Sequence, residues 1–150
     1  MKFTIVCING PNLNLQGYRK KDVYGKKTLH DIERLLSKKV SAKGGTLICF
    51  QSNHEGDLID FVQKMKGKID GIIVNPGPLT FYGYAFRDAL VDSSVPFVSV
   101  HLSNIYARSE QFRHTDIFAE VAVGGIYGFK EYSYILAFEA LVELLDKKSF

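Results

Sequence analysis

The sequence lacks the features that mark secreted, membrane-spanning or metal-binding proteins. It contains only two cysteines, Cys7 and Cys49, with no Cys-x-x-Cys or cysteine–histidine spacing that would hold a metal or a disulfide framework. The first apolar run is short and ends at Asn9, and no later run approaches membrane length. We therefore expect a cytoplasmic protein with no membrane segment, in which both cysteines act as small buried hydrophobic residues.

The sequence also carries little net charge. A formal charge of +3 over 150 residues is too slight to indicate nucleic acid binding. Five basic residues do cluster after the first predicted strand, namely Arg19, Lys20, Lys21, Lys26 and Lys27. The four lysines are interpreted as a solvated face of a loop, and the cluster favours a small anion as the partner.

Three common motifs of α/β enzymes are missing. No Gly-x-Gly-x-x-Gly follows the first strand, no Gly-x-Ser-x-Gly occurs, and Gly25 to Thr28 is not a phosphate loop because the required upstream glycine is Lys20. Nucleotide binding and serine hydrolase chemistry therefore have little support. The polar residues that remain are amides, a histidine, a tyrosine and several arginines. This set suits proton transfer on a polar, anionic small molecule, with no metal or cofactor required.

Predicted strands alternate with predicted helices along the chain. Apolar runs rich in Val and Ile predict five strands, at 4–8, 46–50, 71–74, 96–100 and 120–126. Helical spacing predicts helices that begin at Thr28, at Asn53 or Glu55, at Tyr82 and at Ser133. This order predicts one domain over 1–150 with a flavodoxin-like three-layer sandwich, in which helices cover both faces of a five-stranded parallel sheet of order 2-1-3-4-5.

In this architecture ligands bind beyond the carboxyl ends of the strands, near the switch point between strands 1 and 3. The segments expected there are Asn9 to Asn12, Asn75 to Gly77, and His101 to Asn104. The link from Ile8 to Gly25 is roughly three times longer than the usual strand-to-helix connection of about two to six residues. Its length indicates a functional loop or lid.

Several blocks of sequence resemble one enzyme family. They are Asn9 to Leu15, Tyr24-Gly25, Phe50 to Gly56, Asn75 to Gly77, Arg87 to Ala89, and Val100 to Ile105. The blocks occur in order over nearly the whole chain, which is identified through them as a member of the type II 3-dehydroquinate dehydratases. The resemblance implies the reversible loss of water from 3-dehydroquinate to give 3-dehydroshikimate, in the shikimate pathway of aromatic amino acid biosynthesis or in quinate metabolism. It also implies catalysis through an enolate without metal or organic cofactor, and trimers that assemble into a homo-dodecamer.

The resemblance further implies a role for each matching residue. Tyr24 is the expected base that removes a proton beside the ketone, with Arg19 and Arg108 as the cations that favour its phenolate. Asn12 would stabilise the enolate oxygen, and His101 would give a proton to the departing hydroxyl. The implied substrate-binding groups are Asn75 and Arg113 for ring hydroxyls, backbone N–H groups of Leu102 and Ser103 for the carboxylate, and Asp88 from a neighbouring subunit.

Some of these residues also have a purely structural explanation. Asn12 and Asn75 are suited to tight turns, and Asp88 suits a salt bridge at an interface. His30 and His114 are interpreted as surface residues.

Four residues depart from the pattern of the resemblance. Phe81 stands where the family usually has a histidine that binds a substrate hydroxyl, and Ser99 stands where it generally has a glutamate that orients the histidine at position 101. Tyr82 replaces a small hydroxyl residue, and Tyr106 replaces a frequent histidine. The segment between Arg108 and Arg113 is also one residue longer than usual. The changes make one end of the pocket more apolar or less acidic. A different, less hydroxylated cyclic acid as substrate, or a non-catalytic scaffold, are therefore alternatives to the reaction above.

Overall fold

The computed structural model describes residues 2–18 and 20–147. Within these residues the strands are Thr4–Asn9 (β1), Thr46–Gln51 (β2), Gly71–Asn75 (β3), Phe97–His101 (β4) and Gly124–Tyr127 (β5). The α-helices are Lys21–Tyr24 (α1), Leu29–Ala42 (α2), Glu55–Met65 (α3), Tyr84–Ser93 (α4) and Tyr132–Lys147 (α5). Short 3-10 helices span Leu13–Leu15, Gly77–Phe81, Ile105–Ala107 and Gln111–His114. None of the helices so described is both long and apolar enough to cross a membrane.

The strands form one parallel sheet in the order β2-β1-β3-β4-β5, which confirms the predicted topology. Side chains alternate across β1, so that Ile5 and Cys7 pack with α2 and α5, whereas Val6 and Ile8 pack with α3 and α4. Each face of the sheet is therefore covered by a pair of helices. The three-layer sandwich is confirmed.

A capping box lies at Thr28, where the sequence predicts the start of a helix. Thr28 Oγ1 accepts a hydrogen bond from the Asp31 N–H at 3.1 Å, and Asp31 Oδ2 accepts one from the Thr28 N–H at 3.0 Å. The bond from the Thr28 N–H is the main cause of a lowered pKa for the Asp31 carboxyl. These bonds fix the start of α2 and hence the point at which the long loop ends.

Two predicted boundaries are wrong. The fifth strand begins at Gly124 rather than at residue 120, because the N–H groups of Val121 and Ala122 donate to the Phe118 carbonyl in a turn instead of joining the sheet. The helix predicted from Tyr82 begins two residues later, after the 3-10 helix Gly77–Phe81. In both cases hydrogen bonds within a local turn take the place of the first residues of the strand or helix that the apolar residues predict.

A buried hydrogen-bond network joins α5 to the ends of β1 and β3. The Tyr134 hydroxyl donates to Asn9 Oδ1 at 2.5 Å and accepts from Asn75 Nδ2 at 3.0 Å. Asn75 Oδ1 in turn accepts from the Gly77 N–H at 3.1 Å. Burial raises the pKa of the Tyr134 phenol well above its usual range, so this hydroxyl keeps the proton that it donates. The network therefore fixes the orientation of the Asn75 amide.

Replacing Tyr134 by phenylalanine tests this network. Tyr134→Phe leaves Asn9 Oδ1 and Asn75 Nδ2 buried without their partner, and we expect the free energy of unfolding to fall by about 1–3 kcal/mol. Urea denaturation followed by circular dichroism measures the change. The matched control is Tyr132→Phe on the same helix, where the residue is 53% exposed. Equal stabilities of the two variants would contradict a structural role for the Tyr134 hydroxyl.

Candidate active site

The carboxyl ends of β1 and β3 meet at the switch point of the sheet. Asn9 pairs with Asn75 across the two strands, and the Gly10 N–H donates to the Asn75 carbonyl at 2.8 Å. A Cβ atom added to Gly10 would lie 2.3 Å from the carbonyl oxygen of Pro76, so only glycine allows the two loops to approach this closely. Gly77 has a φ of +60°, in the left-handed region that glycine adopts readily.

A cavity of about 190 Å³ lies at this switch point. Its volume equals that of about six water molecules in the liquid, which suits one small molecule. The structure brings together eight of the predicted site residues along the cavity wall: Asn12, Tyr24, Asn75, His101, Leu102, Ser103, Arg108 and Arg113. Arg19 lies outside the described residues. Asp88 is an exposed residue of α4, and its predicted role requires a neighbouring subunit.

The charges along the cavity are positive. Lys20, Arg108 and Arg113 line it, and none of the lining residues that the structure describes carries a carboxylate. Lys20 is exposed, as predicted for a solvated loop face, but it is also part of the cavity wall. This arrangement of charges favours an anionic ligand.

Tyr24 and Arg108 interact directly within the cavity. Arg108 Nη1 donates a hydrogen bond to Tyr24 Oη at 3.0 Å, and its guanidinium carbon lies 5.6 Å from the centre of the tyrosine ring. The backbone carbonyl of Arg108 accepts a hydrogen bond from His114 Nε2 at 2.6 Å. The interpretation of His114 as a surface residue is therefore wrong, since the ring is partly buried against this carbonyl.

The loop that carries Tyr24 is held by a residue that the sequence did not indicate. Gln16 is buried, and its side-chain Nε2 donates to the carbonyls of Tyr24 at 2.8 Å and Lys27 at 3.2 Å. One amide thus fixes the backbone on both sides of Gly25, which has a φ of +93°. A glutamine in a loop gives no such sign in the sequence, because the carbonyls that it binds are defined only by the folded loop.

Asn12 lies in a tight turn, as its structural interpretation predicts, and it also lines the cavity. Its φ of +72° lies in the left-handed region, which asparagine tolerates better than most residues. Its N–H donates to Asn53 Oδ1 at 2.9 Å. Gln51 Nε2 donates to the same oxygen at 3.1 Å and to the Gly10 carbonyl at 3.2 Å. The last residue of β2 and the loop after it therefore support the loop in which Asn12 lies.

His101 is paired with a carboxylate that the sequence reasoning missed. Its Nε2 lies 3.1 Å from Asp116 Oδ2 and 3.4 Å from Ser99 Oγ. The side chains of His101 and Asp116 are only 8% and 7% exposed. Asp116 falls between Arg113 and the fifth strand, outside every block that carries the resemblance. The serine at position 99, where the resemblance implies a glutamate, was the one sign in the sequence that a carboxylate from elsewhere could contact His101.

Phe81 makes one wall of the cavity apolar. Its ring packs edge-on against that of Phe112, with the ring centres 5.2 Å apart. The guanidinium carbon of Arg113 lies 4.9 Å from the centre of the Phe112 ring. Arg113 thus lines the cavity beside this aromatic pair.

A model of the family described as dehydroquinase class II matches residues 3–142. The chain belongs to this family. The 3-dehydroquinate dehydratase of Halalkalibacterium halodurans is 50% identical over 140 residues, covering 93% of this chain and 96% of that protein. The corresponding protein of Prochlorococcus marinus subsp. pastoris is 48% identical over 142 residues, covering 95% and 97%. The crystal structure of a type II dehydroquinase from Butyrivibrio crossotus is similar with a TM-score of 0.91 and 39% identity, covering 94% of this chain and 98% of that one.

The loop anchor in this class II dehydroquinase can be tested by Gln16→Leu. The change keeps the approximate side-chain volume but removes both hydrogen bonds from Nε2, each of which contributes about 0.5–1.5 kcal/mol. We therefore expect amide hydrogen exchange in residues 17–27 to become roughly 10-fold faster, which mass spectrometry detects. Gln63→Leu on the exposed side of α3 is the matched control. Unchanged exchange in the Gln16 variant would show that other contacts hold the loop.

Proposed function

We propose that this class II dehydroquinase catalyses the reversible dehydration of 3-dehydroquinate to 3-dehydroshikimate, through an enolate and without metal or organic cofactor. The activity named for its relatives supports the reaction. The observation that carries the proposal is the position of Tyr24, which accepts a hydrogen bond from Arg108 in the same cavity that His101 lines. A base and an acid therefore face one small, positively charged site.

The first step is proton removal by Tyr24 from the carbon beside the ketone. Arg108 Nη1 donates a hydrogen bond to the phenol oxygen at 3.0 Å, so a cation lies beside the atom that accepts the proton. Arg19, which belongs to the same loop, is the second proposed cation.

The second step expels water from the enolate. The Asn12 side chain stabilises the negative oxygen of the enolate, because a polarised amide N–H is a suitable donor to an oxyanion. The carbon–oxygen bond to the leaving hydroxyl then breaks, and His101 gives its proton to that oxygen. The substrate loses one proton to Tyr24 and one hydroxide, which leaves as water with the proton from His101.

The remaining residues bind and orient the substrate. The carboxylate lies on the backbone N–H groups of Leu102 and Ser103, and Asn75 and Arg113 bind ring hydroxyls. Their places along the cavity wall support these roles. Asp88 completes the site from a neighbouring subunit of the homo-dodecamer, in keeping with its exposed position on α4.

Tyr24→Phe tests the base. Because general base catalysis contributes about 10²–10⁴-fold, we expect kcat to fall by at least about 100-fold. The rise in enone absorbance on conversion of 3-dehydroquinate measures turnover. Tyr18→Phe is the matched control in the same loop, where the residue is 73% exposed. Full activity of the Tyr24 variant would refute the role of base. Absence of turnover by the folded, unaltered protein at high concentration would refute the proposed reaction.

A second candidate substrate is a less hydroxylated cyclic acid, and the Phe81–Phe112 pair favours it. Phenylalanine cannot bind a hydroxyl, and a buried hydroxyl left unpaired costs about 1–3 kcal/mol.

Phe81→His distinguishes these two substrates. If 3-dehydroquinate is the substrate of the unaltered protein, its kcat/KM exceeds that of an analogue lacking one ring hydroxyl, and the variant changes this preference little. If the less hydroxylated acid is the substrate, the analogue is preferred, and Phe81→His shifts the preference toward 3-dehydroquinate by roughly 10-fold. Phe81→Leu, which stays apolar, is the control and keeps the original preference.

A further inference from the structure

Asp116 supplies the carboxylate that His101 lacks at position 99. We propose that Asp116 is the positioning residue of His101, with its negative charge contributed from the loop before β5 instead of from β4 itself. This inference rests on the proposed function, in which His101 is the acid.

The geometry around Asp116 leaves its carboxylate little freedom. Oδ2 lies 3.1 Å from His101 Nε2, and Oδ1 accepts the Phe118 N–H at 2.9 Å. The next residue along the chain, Ile117, donates its N–H to the Thr80 carbonyl at 3.0 Å. Both carboxylate oxygens are therefore engaged, and the backbone beside Asp116 is tied to the 3-10 helix Gly77–Phe81 that borders the cavity.

The contact decides which nitrogen of His101 carries a proton. An ionised carboxylate only accepts hydrogen bonds, so Nε2 must donate to Asp116. The proposal therefore assigns the exchange of a proton with the substrate to the other ring nitrogen, Nδ1. The Ser99 hydroxyl lies farther from Nε2, at 3.4 Å, and carries no charge.

The charge of Asp116 also suits the chemistry of a proton donor. To give a proton from Nδ1 while Nε2 stays protonated, the ring must first be the positive imidazolium. Lys20, Arg108 and Arg113 line the same cavity, and Arg113 is paired with Glu110. The buried carboxylate of Asp116 is the negative charge in contact with the ring itself, as the aspartate of a serine protease is for its histidine. The uncharged hydroxyl of Ser99 cannot supply this charge.

Asp116→Asn removes the charge and nearly keeps the shape. We expect kcat for 3-dehydroquinate to fall by about 10- to 100-fold, the loss seen when carboxylates that orient metal-binding histidines are replaced. Because Asp116 is not among the residues lining the cavity, KM should stay within about 3-fold of that of the unaltered protein. Asp92→Asn, at an exposed position of α4, is the matched control. A kcat within about 3-fold of the unaltered protein would overturn the proposal.

An exchange of the two side chains separates charge from packing. The double variant Ser99→Asp, Asp116→Ser has the composition and net charge of the original chain and places the carboxylate at the position where the resemblance expected an acid. We expect it to be about 10-fold more active than Asp116→Ser alone. A folded double variant no more active than the single variant would show that Asp116 contributes shape and not charge, and would overturn the proposal.

Nitrogen-15 NMR of the histidine side chains tests the proposal in the unaltered protein. The result therefore does not depend on whether a variant of Asp116 folds. We expect His101 to carry a proton on Nε2, with its signals assigned by their loss in His101→Asn. An unprotonated Nε2 would overturn the proposal. This measurement is also independent of turnover: if the protein does not convert 3-dehydroquinate, the proposed function fails, while the protonation of Nε2 still decides whether Asp116 positions His101.

Discussion

The Tyr134 hydroxyl makes the buried contact on which the arrangement of the site depends. It binds Asn9 and Asn75, the last residues of two neighbouring parallel strands, from a helix on the opposite side of the sheet from α3 and α4. Three polar side chains are thereby satisfied inside an apolar core, where any one of them left alone would be unfavourable. The geometry of the network also aligns the loops that leave β1 and β3, which approach each other closely at Gly10 and contribute Pro11 and Gly77 to the cavity wall.

A second layer of contacts positions the reactive side chains, which lie on loops or on the last residue of a helix or strand. In each case a polar group that does not take part in the proposed chemistry holds the residue that does. The pairs are Gln16 with the Tyr24 carbonyl, His114 with the Arg108 carbonyl, Asn53 with the Asn12 N–H, and Asp116 with the His101 ring. Loops are flexible unless such bonds order them, whereas catalysis needs the reacting groups fixed to a fraction of an ångström. The holding groups are therefore as much a part of the site as the residues that line it.

The strand order and the start of α2 could be predicted from the sequence, whereas the contacts between residues distant in the chain could not. The five-stranded order follows from alternating apolar runs, and the end of β4 at His101 follows from the run Phe97 to Val100. The Thr28–Asp31 capping box was predictable because its partners are three residues apart. Asn12 and Asn53 are 41 residues apart, and His101 and Asp116 are 15 apart. No local pattern encodes such pairs, since they depend on how separate loops meet after the sheet has formed.

The carboxylate that contacts His101 lies on a loop and not on β4, so different contacts fix its position relative to the histidine ring. A carboxylate at position 99 would share the rigid backbone of β4 with His101, and the distance between the two groups would follow from the strand alone. Asp116 instead depends on the Phe118 N–H and on the bond between Ile117 and the Thr80 carbonyl. Thr80 belongs to the 3-10 helix that also carries Phe81, so the apolar wall and the acid of His101 are mechanically linked. Two of the departures from the family pattern, Phe81 and Ser99, thus lie at either end of one series of contacts that runs through His101, Asp116, Ile117 and Thr80.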